Sequence, residues 1–378
     1  MKQTGELLLS VLKGYFHGEN FEKEADYEAA FRLAKMHSLG SLFYEAVKNS
    51  PLLPERVREE AKRHFFSNLA QQTAQEYYAA ELMEKLEEKK IPYMPLKGYV
   101  LRKLYPAPEL RTSCDVDVFY DKKRKEEVKE ILSGLGFTEG HEGENHLDWS
   151  LDSVTIEMHH ELAAQSNVYH PYYQNVFERM VNTEGYRYDF TPEDFYIYFL
   201  VHAAKHFAHG GFGIRTVLDI WIYRKKKALN EQYLNSELEK VQLLKFKNAI
   251  EDLAEYWFGE KEFTEELAVL HEYVLTCGTY GQRSNSAAIG GDSESVKKTK
   301  FKFLMRTLFP SLRTMRTMYP VLKKAPILLP FTWVARWFAV LFKRRKNVGA
   351  VIHAMNGIDG ERIEKVEKVM AITDIPLN

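Results

Sequence analysis

Over residues 1–90 the apolar positions recur with a helical period. Between Asp26 and Lys48 the set Ala29, Phe31, Leu33, Ala34, then Leu42, Phe43, Ala46 and Val47 predicts helix. A longer helix is predicted over about 55–90, where good helix formers run without an internal Pro or Gly. At Ile91 the texture changes. Pro92-Tyr93-Met94-Pro95-Leu96 reads as a short extended run, and Lys97-Gly98 opens a brief helix that Pro106 and Pro108 terminate after Tyr105. Asp115-Val116-Asp117-Val118-Phe119-Tyr120 alternates with period two and predicts a strand. Residues 122–135 predict a helix closed by Gly136, and 146–151 and 154–158 predict two strands joined at Asp152-Ser153. Helix returns after about 190. Thr191, Pro192 and Asp194 mark a capped start, Gly210-Gly211-Phe212-Gly213 breaks the run, and 214–226 and 231–277 continue it.

The pattern predicts an α+β protein: a small mixed-sheet core at 91–162 between a helical N-terminal region (1–90) and helical C-terminal regions. The latter divide into 163–277, a polar Gly/Ser-rich loop or lid at 278–295, and a basic helical segment at 296–378. A chain of 378 residues with 45% hydrophobic and 13% aromatic residues has ample core, which excludes global disorder. Two cysteines, Cys114 and Cys277, exclude a disulfide framework, and Glu6 ahead of the first apolar run argues against a secretory signal. A cytoplasmic location is expected.

Net charge is only -1, but it is unevenly spread. From Ser295 to Ile358 there is no Asp or Glu and there are 14 Lys and Arg, which leaves the remainder at -15. Within this block the apolar stretch 325–342 contains Pro326, Pro330 and Arg336 and is too broken to span a bilayer. Lys323-Lys324 and Lys343-Arg344-Arg345-Lys346 flank it, and Trp333 and Trp337 lie four apart. Two readings follow for 296–346: an interfacial helix at an anionic membrane surface, peripheral to the inner face, or a helix packed on the acidic body. No specific nucleic-acid module is present.

The candidate chemistry centres on Asp115-Val116-Asp117. On a strand, residues two apart project from one face, and paired carboxylates suit a hard divalent cation, Mg²⁺ or Mn²⁺. Glu157, between Ile156 and Met158 on a second strand, is placed to add a third acid. His159 shares its face by the same period. Lys97-Gly98 at a strand-to-helix turn and Arg111 nearby would meet phosphate charge. Together these groups fit metal-assisted transfer of a phosphorus group. His202 and His206 are four apart on a helix, the spacing of a zinc pair, but no third ligand is evident, so a pocket role is favoured. Lys205, Arg215 and Asp219 are candidates for the acceptor side.

Leu96-Lys97-Gly98, Tyr105-Pro106, Arg111, Asp115-x-Asp117 and the run around Glu157 and His159 resemble the uncharacterised nucleotidyltransferase family of the DNA polymerase beta-like superfamily. The resemblance has motif detail over roughly 91–162 and extends loosely over 25–225. It implies that Lys97 and Gly98 stand at the nucleotide turn, where the wider superfamily has Gly-Ser. It also implies that Asp115, Asp117 and Glu157 are catalytic acids holding two Mg²⁺. The implied reaction moves a nucleoside monophosphate from a nucleoside triphosphate such as ATP to a hydroxyl acceptor of unknown class. Glu157 would assist deprotonation, and Arg111 and Lys97 would meet phosphate charge. The alternative is a non-catalytic nucleotide-binding or membrane-surface scaffold with the same fold.

Overall fold

The computed structural model describes residues 2–343 and 345–376. Among the described residues one seven-stranded mixed sheet runs in the order β3-β4-β5-β2-β1-β7-β6. The strands are β1 Tyr93–Pro95, β2 Val116–Tyr120, β3 Thr138–Glu142, β4 His146–Leu151, β5 Val154–His159, β6 Met180–Glu184 and β7 Arg187–Phe190. β2 pairs with β5, and β1 with β7, in parallel; the remaining neighbours are antiparallel.

Period-two alternation in β2 and β5 gives the sheet two different faces. Val116, Val118, Tyr120, Ile156 and Met158 pack in a buried cluster with Leu82 and Leu86 of the helix Glu55–Glu88 and with Val128 and Leu132 of the helix Lys125–Gly134. Asp117, Glu157 and His159 occupy the alternate positions. They line a cavity closed by the helices Pro192–Ala208 and Ile214–Lys226. The first of these starts as its sequence predicts, with the Asp194 N–H donating to Thr191 Oγ1 at 3.1 Å.

The sheet extends beyond the stretch read as its core. β3 was not anticipated because Thr-Glu-Gly-His-Glu is polar and fully exposed, so the ladder to β4 and not an apolar face defines it. The hairpin β6–β7 lies inside 163–277, a stretch read as helical; it turns at Gly185 (φ +53°) and adds to the β1 edge. Residues 278–295, read as a loop or lid, contain the helix Arg283–Ala288 and are fastened down. The Gln282 N–H donates to Gly210 O at 2.9 Å, and Arg362 Nη1 donates to Gln282, Ser284 and Asn285. A Cβ at Gly210 (φ +124°) would stand 2.3 Å from Gln282 O, so the helix break at 210–213 is what lets this segment close in.

A buried cluster of three polar side chains ties the helix Ile214–Lys226 to the turns between β1 and β2. Arg111 donates Nε and Nη2 to Asp219 at 2.7 and 2.8 Å, and Tyr105 Oη donates to the same carboxylate at 2.8 Å. Arg111 and Asp219 are 5% and 2% exposed, so neither charge is solvated by water. Asp219→Asn leaves the guanidinium buried without its counter-charge, and a loss of about 3–5 kcal/mol is expected in urea unfolding.

His37 holds three elements together. Its Nδ1 accepts from the Ile214 N–H at 3.0 Å and its Nε2 donates to Leu275 O at 3.2 Å. Burial, only partly offset by that carbonyl, lowers its pKa from 6.5 to about 4. The unfolded chain therefore binds a proton between pH 6.5 and 4 that the folded chain does not. This contribution is intact above pH 6.5 and is lost as pH falls toward 4, by about 3 kcal/mol. Unfolding free energies measured at pH 7 and pH 4.5 should differ by less in His37→Gln than in the wild type.

Candidate active site

β2 and β5 bring the acids together by register. Asp117 lies opposite Glu157 across the parallel pair, and Asp115 immediately precedes β2. His159 Nε2 is 2.8 Å from Asp117 Oδ1 and 3.3 Å from Glu157 Oε2. The ligand atoms of Asp117, Glu157 and His159 all lie within 4.8 Å of one another. Asp115 is outside that tight group; its Oδ1 accepts from Ser113 Oγ at 3.3 Å.

A cation already stands among these groups. Lys97 Nζ donates to Asp117 Oδ1 at 2.6 Å and is 3.5 Å from His159 Nε2. Burial by itself would lower the lysine pKa, but Asp117, Tyr198 and Glu157 raise it, so the ammonium is fixed. Burial likewise opposes ionisation of Asp117, but Lys97 and His159 hold its carboxyl well below the usual range. Glu157 is lowered despite burial by its bond to His159. Asp115 lacks such a partner: burial and the charges of Asp117 and Glu157 push it up to about 6. Lys97 holds this place with φ +40°, in the left-handed region that a residue with a Cβ seldom adopts.

All twelve residues singled out in the sequence line one cavity of about 370 Å³, within the roughly 300–1,000 Å³ of small-molecule sites. Their settings differ. Gly98 lacks a side chain because a Cβ there would lie 2.6 Å from Ser113 Oγ and 2.9 Å from Arg111 Nη1. Arg111, expected at the phosphates, directs Nε and Nη2 at Asp219 and Nη1 at Gly98 O at 3.4 Å. It and Asp219 brace the wall. His202 and His206 face each other across 3.0 Å. Burial, then Lys205 and Lys97, bring His206 down to about 4, and burial with Lys97 lowers His202, so this pair is neutral at pH 7. Lys205 is lowered by burial and by Lys97. Arg215 donates Nη1 to Thr112 O at 2.7 Å, while its buried Nε has no hydrogen-bond partner among the described residues.

His146 and Asp148 on β4 also join this face. They pair with His159 and Glu157 in the β4–β5 register, and the ligand atoms of His146, Asp148 and Glu157 lie within 4.8 Å of one another. The signal was available: a two-residue turn at Asp152-Ser153 sets Leu151 opposite Val154 and so fixes every later pair. The donor set is mainly carboxylate with added imidazole. It fits a hard divalent cation such as Mg²⁺, with the imidazole suiting Mn²⁺ as well. The position of the Lys97 ammonium marks where positive charge is favoured.

No curated protein and no solved structure matches the chain. One family model does, that of an uncharacterised nucleotidyltransferase, over residues 23–259, well over half of the chain. That span contains the whole sheet, both cavity helices and every acid of the cluster. The chain belongs to this uncharacterised nucleotidyltransferase family.

Proposed function

We propose that the protein transfers a nucleoside monophosphate from a nucleoside triphosphate, ATP among them, to a hydroxyl acceptor. The observation that carries this reading is the placement of Asp117 opposite Glu157, with Asp115 and Lys97 in the same cavity. Asp115, Asp117 and Glu157 would hold Mg²⁺, two ions in the full reading and Mn²⁺ as a substitute. Bound there, such ions would lower the pKa of an attacking hydroxyl and would neutralise the triphosphate and leaving group. The acceptor oxygen forms a bond to the α-phosphorus, the bond from that phosphorus to the bridging oxygen breaks, and pyrophosphate leaves. The hydroxyl proton passes to the Glu157 carboxylate. Lys97, released from Asp117, and Lys205 meet the phosphate charge, and Arg111 acts behind them by bracing Gly98 against Asp219. His159, His202, His206 and Arg215 shape the acceptor side. The chain would work in the cytoplasm, peripheral to an anionic membrane surface. No helix among the described residues is long and apolar enough to cross a membrane.

Because Lys97 is buried against Asp117, removing that acid would strand an ammonium and confound activity with folding. Glu157→Gln is the cleaner variant, since Glu157 is partly exposed and forms no ion pair with lysine or arginine among the described residues. With the four triphosphates, Mg²⁺ and cell extract, the wild type should release pyrophosphate and label one product. Glu157→Gln should lower that rate at least about 100-fold with an unchanged unfolding midpoint. Triphosphate binding with no release under any condition would support the scaffold reading instead.

A further inference from the structure

The helix Leu329–Lys343 is turned inside out. Its polar donors face the protein: Trp333 Nε1 donates to Pro310 O at 2.9 Å, Trp337 Nε1 to Leu308 O at 2.7 Å, and Arg336 Nη1 to Thr307 O at 3.0 Å. These carbonyls belong to the end of the helix Val296–Leu308 and the turn after it, where backbone acceptors lack helical partners. Phe309 packs edge-on against both indoles at 5.2 Å. Of the two readings left open for this helix, the half-buried tryptophans fit the packed one: their indoles strut it against the end of the preceding helix.

Apolar side chains stand exposed on this helix and beside it. Phe331 is 72% and Val334 43% exposed on one helical stripe, Ile327 just before the helix is 84% exposed, and Phe301 on the helix Val296–Leu308 is 63% exposed. In the same segment Lys297, Lys298, Lys302, Arg306, Arg313, Lys323 and Lys324 are exposed, and none of these is in an ion pair among the described residues. No acid occurs between Ser295 and Ile358. The side chains of Lys343-Arg344-Arg345-Lys346 are not among those described, and Arg344 itself lies outside the described residues. A rim of cations around bare aliphatic and aromatic side chains is the complement of an anionic bilayer surface: headgroup charge meets the rim, and the acyl boundary takes the stripe. A symmetric contact between two copies would set this positive charge against itself. Phe331 could stack on a base, but the most exposed side chain of the surface is the aliphatic Ile327, which suits acyl chains and not a base face.

We infer that residues 296–340 form a platform that docks on an anionic lipid surface by inserting Phe301, Ile327, Phe331 and Val334, with the tryptophans staying inside. The inference rests on the peripheral location proposed above and is independent of the transfer chemistry. Arg313 Nη2 donates to Gln165 O at 3.5 Å, next to Ala164 on the cavity wall, so the platform adjoins the rim of the candidate site.

The test is sedimentation of the full chain with phosphatidylcholine vesicles, with and without phosphatidylglycerol, at low and high salt. Pelleting is expected with phosphatidylglycerol and should weaken at high salt. Ile327→Ser/Phe331→Ser and Lys323→Gln/Lys324→Gln should each weaken vesicle affinity about tenfold or more. Both pairs are exposed, so unchanged melting curves confirm that they fold. Glu157→Gln should pellet as the wild type does, which separates surface binding from transfer. Equal pelleting of both double variants and the wild type would overturn the inference. So would no binding to either vesicle, a dimer that Ile327→Ser/Phe331→Ser abolishes, or binding to nucleic acid that the serine variant loses.

Discussion

The cavity is organised by one buried ion pair. Three carboxylates facing one low-dielectric space repel one another, and the fold answers with the Lys97 ammonium 2.6 Å from Asp117. That contact explains why Lys97 tolerates a left-handed backbone at the end of β1, and why Asp117 stays ionised at 3% side-chain exposure. It also separates the acids. Asp117 is compensated by the protein itself, whereas Asp115, with no cation bonded to it, is pushed up by burial and by the charges of Asp117 and Glu157, which Lys97 and Ser113 offset only in part.

The remaining architecture holds this arrangement still. The parallel β2–β5 pair sets Asp117 beside Glu157, and β4 adds His146 and Asp148 along the same face. From the other side, Arg111 clamps Asp219, which fixes the helix Ile214–Lys226 over the turn that carries Lys97 and Gly98. The second charged pair lies behind the first and leaves Lys97 as the cation in contact with the acid cluster. A phosphate-bearing ligand would thus meet a lysine that has to leave a carboxylate, and a divalent cation would supply the charge it leaves behind.

Much of this was legible along the chain because local rules governed it. Alternation gave β2, a two-residue turn gave the β4–β5 hairpin, and Thr191 with Pro192 gave the start of the cavity helix. What stayed hidden depends on tertiary partners. The β2–β5 register is set by packing across a crossover, and nothing near Arg111 in sequence shows that Asp219, 108 residues on, takes its donors. The strand β3 has no apolar face to betray it, and in β6–β7 the outer strand β6 is exposed beyond Met180 while β7 is only half-buried. Trp333 and Trp337 left two readings open because an indole at a lipid boundary and an indole capping orphan carbonyls have the same sequence spacing. Only the neighbouring helix end decides between them.

On the function proposed above, Lys97 would keep a place among the acids for a divalent cation. The direct measurement is anomalous diffraction from crystals grown with Mn²⁺ and a non-hydrolysable nucleoside triphosphate. A manganese peak bonded to Asp117 and Glu157, with Lys97 Nζ moved from Asp117 to a phosphate oxygen, is the expected result. Nucleotide bound in the cavity with Lys97 still on Asp117 and no manganese peak at the acids would contradict it.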